Sequence, residues 1–180
     1  MKKILLASLL GVALAAGAAV LKTDPAKSSV SATFKQMNVP VESKFKRFTA
    51  AIVYDAAKPD SSKATVEVET GSLDMGDPEY DKEVAKKEWF NAAQYPKATF
   101  VSSSIKSAGA GKLNVTGKLT IKGRAQDVTF PVTVKTEGGK QVFDGAVPIK
   151  RLAFNIGEGE WKDTGMVADE VTIKFHVVAQ

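Results

Sequence analysis

The chain has 180 residues, of which 44% are hydrophobic and 25% are charged. This length and composition are typical of one globular domain. They exclude a disordered chain and a membrane protein with several spans. It contains no cysteine and one histidine, so disulfides, thiolate nucleophiles, iron-sulfur clusters and two-histidine metal sites are excluded. The net charge is +5, or +3 without Lys2 and Lys3 (23 basic against 20 acidic residues), which is too small to indicate nucleic acid binding.

The first segment of the chain has the pattern of a secretory signal peptide. Two lysines precede an apolar run, and Ala16-Gly17-Ala18 fits a cleavage site of the A-x-A type. We therefore predict a signal peptide over residues 1–18, with cleavage before Ala19, and secretion into the periplasm. A membrane anchor is the rival interpretation, because the nearly uncharged stretch 4–21 reaches the lower length limit of a spanning helix. Its small residues favour cleavage, after which no stable membrane insertion is expected.

Alternation of apolar and polar residues with period two dominates the rest of the chain and predicts β-strands. It is clearest from Lys112 to Lys122, where every second residue from Leu113 to Ile121 lies on one face. The pattern predicts about eight strands, over residues 30–36, 45–56, 64–70, 98–106, 112–122, 128–135, 141–150 and 171–178.

One segment between the third and fourth strands is typical of a helix, over about residues 78–88. Asp77 can cap its start, and Pro78 suits the first helical position. One short helix cannot cover the apolar face of eight strands, so the strands must close into a barrel or pair into a sandwich. We predict an all-β fold in which the helix covers one end.

Motifs for catalysis or cofactor binding are weak. Residues 108–112 partly match a phosphate-binding loop, but the first glycine is missing and Leu113 replaces the required Ser or Thr. A hairpin turn is therefore predicted there. His176 falls on the polar face of its strand, so a surface histidine is predicted. Two clusters of acidic residues, at 77–83 and 163–170, lack the spacing of a calcium-binding loop. We therefore predict no catalytic residue, no metal, no cofactor and no enzymatic activity.

The predicted inner face mixes large and small residues. The large ones include Phe34, Phe45, Phe48, Phe100, Leu119 and Phe130, and the small ones are Ala32, Ala50, Ser102, Ser104 and Gly117. Such residues can interdigitate in a filled core, or the small ones can leave a cavity for an elongated apolar molecule. The pattern leaves both interpretations open.

Several motifs carry a resemblance to a known family. They are Asp24-Pro25-Ala26-Lys27-Ser28, Val41–Phe45 with Phe48 and Tyr54-Asp55, Trp89-Phe90-Asn91 followed by Tyr95–Phe100, and Gly117–Gly123 followed by Val128–Phe130. Through them the sequence resembles the YceI-like family of secreted bacterial lipid-binding proteins, over almost all of residues 19–180. The resemblance implies an extended, eight-stranded, antiparallel, lipocalin-like barrel that holds a polyisoprenoid or related amphiphile.

The resemblance and the alternation together give a set of candidate site residues. The apolar lining is predicted to comprise Phe34, Phe45, Phe48, Ile52, Val68, Phe90, Phe100, Leu113, Val115, Leu119, Val128, Phe130, Val132, Ile173 and Phe175. The predicted lid is Tyr80, Val84 and Trp89. Lys27 and Lys122 stand where many family members carry histidine, and are candidates for contact with the head group of the ligand.

The leading hypothesis is a periplasmic binding protein for a polyisoprenoid, an isoprenoid quinone or a fatty amphiphile, which serves transport, storage or sequestration. Two alternatives stay open. An integral outer-membrane barrel of eight strands would show the same alternation with its apolar face turned to lipid. An envelope interaction module would have a filled core and no ligand. The sequence also leaves a homodimer open.

Processing gives the first testable prediction. Intact-mass analysis of the exported protein should show the loss of about eighteen residues, because the positive start, apolar run and small-residue boundary form one unit. Membrane-bound protein that retains residues 1–18 would contradict the cleavage and favour the anchor.

Overall fold

The computed structural model of the protein describes residues 19–180, so the predicted signal peptide over residues 1–18 lies outside the described residues. The strands are β1 (Ala19–Lys22), β2 (Ser29–Gln36), β3 (Val39–Phe45), β4 (Phe48–Tyr54), β5 (Lys63–Glu69), β6 (Leu73–Asp74), β7 (Lys97–Ser107), β8 (Lys112–Ile121), β9 (Arg124–Glu137), β10 (Lys140–Lys150) and β11 (Val167–Ala179). Helix α1 covers Pro78–Ala85. Within residues 19–180, no helix combines the length and hydropathy needed to cross a bilayer.

The strands form one antiparallel sheet in the order β1-β4-β5-β7-β8-β9-β10-β11-β2-β3-β6. The all-β prediction with one short helix is therefore confirmed. The prediction of a closed eight-stranded barrel is wrong, because the sheet has eleven strands and is an open half-barrel. Its edge strands β1 and β6 pair with β4 and β3, respectively, and not with each other.

The sequence does not predict three of the observed strands, β1, β3 and β6. The structure explains why β3 and β6 are missed. The β2–β3 hairpin turns at Met37 and Asn38, which both have positive φ (49° and 66°). A turn of this kind is usually signalled by Asn-Gly or Asp-Gly, and methionine in the first position gives no such signal. As a result β3 is not predicted as a separate strand. The predicted strand over residues 45–56 also spans Lys46 and Arg47, which separate the end of β3 from the start of β4. β6 has only two residues, too few for any alternation.

Helix α1 begins as the sequence predicts. The Oδ1 atom of Asp77 accepts a hydrogen bond from the backbone N–H of Glu79 (2.8 Å), and Pro78 occupies the first turn. The helix ends at Ala85 rather than at Glu88, because Lys86 has extended backbone (ψ 172°). The chain then turns, so that Trp89 is buried instead of continuing the helix.

Two apolar clusters fill the concave side of the half-barrel. The first lies around Ile52, Leu113, Val132 and Val177, and the second around Trp89, Leu119, Phe154 and Val167. Along β8 the inward residues therefore belong first to one cluster and then to the other. The core is an elongated layer that follows the strands.

Candidate functional site

An elongated cavity of about 320 Å³ is lined by residues of both clusters. On β8 it is lined from Leu113 to Ile121, which corresponds to about 26 Å at ~3.3 Å per residue. It reaches solvent beside α1, where Gln36 and Tyr80 line it and yet remain exposed. The cavity is therefore long, narrow and open at the end that carries the helix.

The cavity wall is mostly aliphatic and aromatic. The lining side chains that carry a polar group are Gln36, Tyr54, Ser62, Tyr80, Glu83, Trp89, Thr99, Arg151 and Trp161. Burial raises the pKa of Tyr54, with a smaller contribution from neighbouring Asp55, so this hydroxyl stays neutral. Such a wall suits a molecule that buries apolar surface and needs few hydrogen bonds.

The structure places the predicted apolar lining on this wall, with one exception. The residues that line the cavity are Phe34, Phe45, Ile52, Val68, Phe90, Phe100, Leu113, Val115, Leu119, Val128, Phe130, Val132, Ile173 and Phe175. Phe48 is half-buried at the start of β4 and is outside the lining. That these residues bind a ligand stays a prediction.

Neither of the two serines that the alternation places on the inner face of β7 lines the cavity. The register of β7 against β8 shifts between Ser102 and Ser104, and beyond this bulge the extra residue puts Ile105 rather than Ser104 on the inner face. Ile105 is buried and lines the cavity, whereas neither serine does. Ser102 Oγ instead accepts a hydrogen bond from the backbone N–H of Ala64 (2.9 Å). The bulge therefore replaces Ser104 by Ile105 on the inner face.

The predicted lid residues lie at the open end of the cavity. Tyr80 is 60% exposed although it lines the cavity, while Val84 packs against the second cluster. Trp89 is buried, with its ring centroid 5.3 Å from that of Trp161. The three residues are thus brought together, and whether they move to admit a ligand stays a prediction.

Neither predicted head-group lysine reaches the cavity. Lys27 is exposed in a short 3-10 turn and does not line the cavity. Lys122 is only 8% exposed, and its Nζ donates to Lys87 O (2.7 Å), Asn155 O (2.8 Å) and Glu158 Oε2 (2.9 Å). Its three donors are therefore used. The structure gives Lys122 the role of connecting two loops, and its contact with a head group stays a prediction.

Sequence reasoning missed Arg151, which is 2% exposed and lines the cavity. Its guanidinium donates to Ala168 O (Nε, 3.1 Å), Ile156 O (Nη1, 2.8 Å), Gly157 O (Nη1, 3.4 Å), Trp161 O (Nη2, 2.7 Å) and Val167 O (Nη2, 2.6 Å). It also lies 5.9 Å from the centroid of the Trp89 ring. Burial lowers the pKa of Arg151, and Asp169 opposes that shift. No alternation or motif signals it, because its partners are backbone carbonyls of the segment after β10 and of the start of β11.

An eleven-stranded antiparallel half-barrel with one short helix and an elongated apolar cavity defines the class as an all-β half-barrel protein. Within that class, the chain belongs to the YceI-like family, whose domain matches residues 21–179, and the resemblance drawn from the sequence is confirmed.

Several relatives resemble the chain. The crystal structure of Burkholderia cenocepacia BcnA is 58% identical with a TM-score of 0.86, and the similarity covers 88% of this chain and 100% of that one. A UPF0312 protein of Pseudomonas putida (strain W619) is 39% identical over 111 residues, which are 62% of this chain and 55% of that relative. The match thus spans little more than half of that relative's length.

A more distant structure shares the fold. A structure described as a polyisoprenoid binding domain from Saccharophagus degradans, implicated in plant cell wall breakdown, is 14% identical with a TM-score of 0.72, and the similarity covers 91% of this chain and 98% of that one. At that identity the likeness concerns the fold alone.

The arginine cluster gives a stability prediction. Arg151→Met keeps an apolar stem but leaves buried carbonyls without donors, so the free energy of unfolding should fall by about 2–4 kcal/mol. The control is Arg47→Met, because that exposed arginine pairs with Glu69 at the surface and should cost less than ~1 kcal/mol. Urea unfolding of both variants measures the difference. Equal losses would contradict the assigned role.

The Lys122–Glu158 pair gives a pH prediction. The hydrogen bond and positive charge of Lys122 hold the pKa of Glu158 below its usual value of 4.5. A carboxylate with a lowered folded-state pKa stabilises the fold above its unfolded pKa, and that stabilisation is lost as the pH falls through the folded pKa. Glu158→Gln should therefore be less stable than wild type at neutral pH, and the gap should shrink below about pH 4.5.

Urea unfolding across a pH series checks this prediction. The matched control is Glu160→Gln, which changes an exposed carboxylate on the same loop. A gap between wild type and Glu158→Gln that is constant with pH, or equal to that of the control, would show that the ion pair does not cause it.

Proposed function

We propose that the protein is a periplasmic binding protein that holds one long apolar amphiphile in its cavity and catalyses no reaction. The observation that carries the proposal is the apolar wall from Leu113 to Ile121, which reaches solvent beside polar residues of α1 such as Tyr80 and Glu83. Transport, storage and sequestration all use this property.

The size of the apolar effect is sufficient for binding. Each buried methylene contributes ~0.8 kcal/mol, so ten of them contribute ~8 kcal/mol, around micromolar affinity before ordering costs are subtracted. Hydrogen bonds to a head group are not required at that level. This fits a site whose two predicted head-group lysines lie away from the cavity.

The ligand class is supported by the comparison with the Saccharophagus degradans domain, which is described as polyisoprenoid binding and shares the fold. A prenyl chain matches a cavity that is long, narrow and apolar. We accordingly propose a polyisoprenoid, an isoprenoid quinone or a fatty amphiphile as the ligand, and the periplasm as the compartment because of the predicted signal peptide.

The direction of the apolar face favours a carrier over the alternatives. Along β8, Leu113, Val115 and Leu119 point into the cavity, while Lys112 and Lys118 on the opposite face are exposed. An outer-membrane barrel would need the reverse arrangement, with apolar residues turned to lipid. An interaction module with a filled core would have no cavity of this size.

The test is a binding titration with solanesol, a long-chain prenyl alcohol, delivered from cyclodextrin. Val115 is 5% exposed on the cavity wall, and Val115→Phe fills cavity space at a cost of about 1–3 kcal/mol. Affinity for solanesol should fall about tenfold or more. Circular dichroism verifies that the variant is folded.

Two controls accompany Val115→Phe. Val101→Phe makes the same change on β7 at a residue that is 49% exposed and outside the cavity lining, and should leave affinity unchanged. Lys27→Ala should also have no effect. If Val115→Phe binds like wild type while Lys27→Ala loses affinity, the cavity mechanism is wrong and a surface site replaces it.

A further inference from the structure

A row of alternating phenylalanine and glycine residues crosses the sheet at the middle of the cavity. Successive strands from β7 to β11 contribute Phe100, Gly117, Phe130, Gly145 and Phe175. The ring centroids of Phe100 and Phe130 lie 5.3 Å apart, and those of Phe130 and Phe175 lie 5.9 Å apart. All three rings line the cavity, whereas neither glycine does.

Each glycine lies beneath one of these rings. A Cβ atom on Gly145 would stand 2.3 Å from Cζ and 2.7 Å from Cε1 of Phe175. A Cβ atom on Gly117 would stand 2.5 Å from Cζ of Phe100 and 2.4 Å from the carbonyl oxygen of Val101. Neither glycine has a positive φ, so the backbone does not require glycine at these positions. Glycine is needed there because the rings of Phe175 and Phe100 occupy the space that a Cβ atom would take.

The row lies where a long ligand must pass and a short one need not. Along β8, Leu113 and Val115 on one side of Gly117 belong to the first apolar cluster. Leu119 and Ile121 on the other side belong to the second, which is nearer the open end. Phe100 packs against both clusters. The rings thus lie between the half of the cavity lined by the first cluster and the half lined by the second. A change in their height above the sheet would change the width of the cavity at that point.

We propose that Gly145 and Gly117 determine the chain length of the ligand by letting Phe175 and Phe100 lie flat against the sheet. This inference rests on the proposed function. A methyl group under a ring must lift it by about 1.2 Å to restore an ordinary carbon–carbon contact of ~3.5 Å. The sheet blocks the other side, so the ring rises into the cavity. The passage then admits a chain only as far as the row.

The experiment compares two prenyl alcohols with the same head group, farnesol as the short chain and solanesol as the long one. The variant is Gly145→Ala, because the close contacts of its new methyl group are with the mobile ring of Phe175, whereas Gly117→Ala would also meet a backbone carbonyl. Affinity for solanesol should fall about tenfold or more and affinity for farnesol should change less than about threefold. Bound alcohol is extracted and quantified by mass spectrometry.

Two further variants complete the design. Gly71→Ala adds the same methyl group where it meets only the Cβ of Ala92 at 3.5 Å, and should bind both alcohols like wild type. Gly145→Ala combined with Phe175→Leu removes the ring that the methyl group displaces, and should bind solanesol as Phe175→Leu alone does. If Gly145→Ala does not fold, this last pair decides, since a loss caused by the methyl group in the absence of the ring overturns the proposal.

The outcomes separate the two levels of inference. Wild-type protein that binds neither alcohol overturns the proposed function itself. Wild-type protein that binds both, together with a Gly145→Ala variant that binds both equally well or loses both to the same degree, overturns only the role of the glycines. Selective loss of solanesol, with recovery in the double variant, supports it.

Discussion

The architecture depends on one constraint, which is that a single sheet must bury its own apolar face. The described residues supply no second sheet, and helix α1 has only eight residues. The sheet therefore has to curl until its concave side faces itself. Bulges in β7 and β11 provide local bends. Curling of this kind encloses space along the strands, and the cavity is a direct result of it.

The open end of the half-barrel needs a different solution, because loops there bring unpaired backbone carbonyls into an apolar environment. Arg151 and Lys122 supply donors to those carbonyls from two neighbouring positions. A buried polar group is tolerated when it is fully hydrogen-bonded. The basic residues near the cavity thus complete the fold, and the site keeps its apolar character.

The sequence predicted those features that are periodic. The inward faces of β8, β9 and β11 follow alternation, and the predicted lining residues on these three strands all line the cavity. It could not predict features that interrupt the period. The bulge after Ser102 puts Ile105 in place of Ser104 on the inner face, and the Met37–Asn38 turn carries no usual turn signal. Lys122 and Arg151 are isolated basic residues whose partners are mainly backbone carbonyls outside their own strand alternation, and no spacing encodes such contacts.

The uniformity of the cavity wall has a thermodynamic consequence. A chain held against methyl and phenyl groups gains free energy from the area that it removes from water, and no fixed hydrogen bond defines its position along the strands. It can therefore slide by small steps at little cost and keep part of its translational entropy. Burial of this kind carries a negative change in heat capacity, so the enthalpy of binding becomes more favourable as temperature rises. Under the proposed function, such a wall would select a molecule by its width and length rather than by its functional groups.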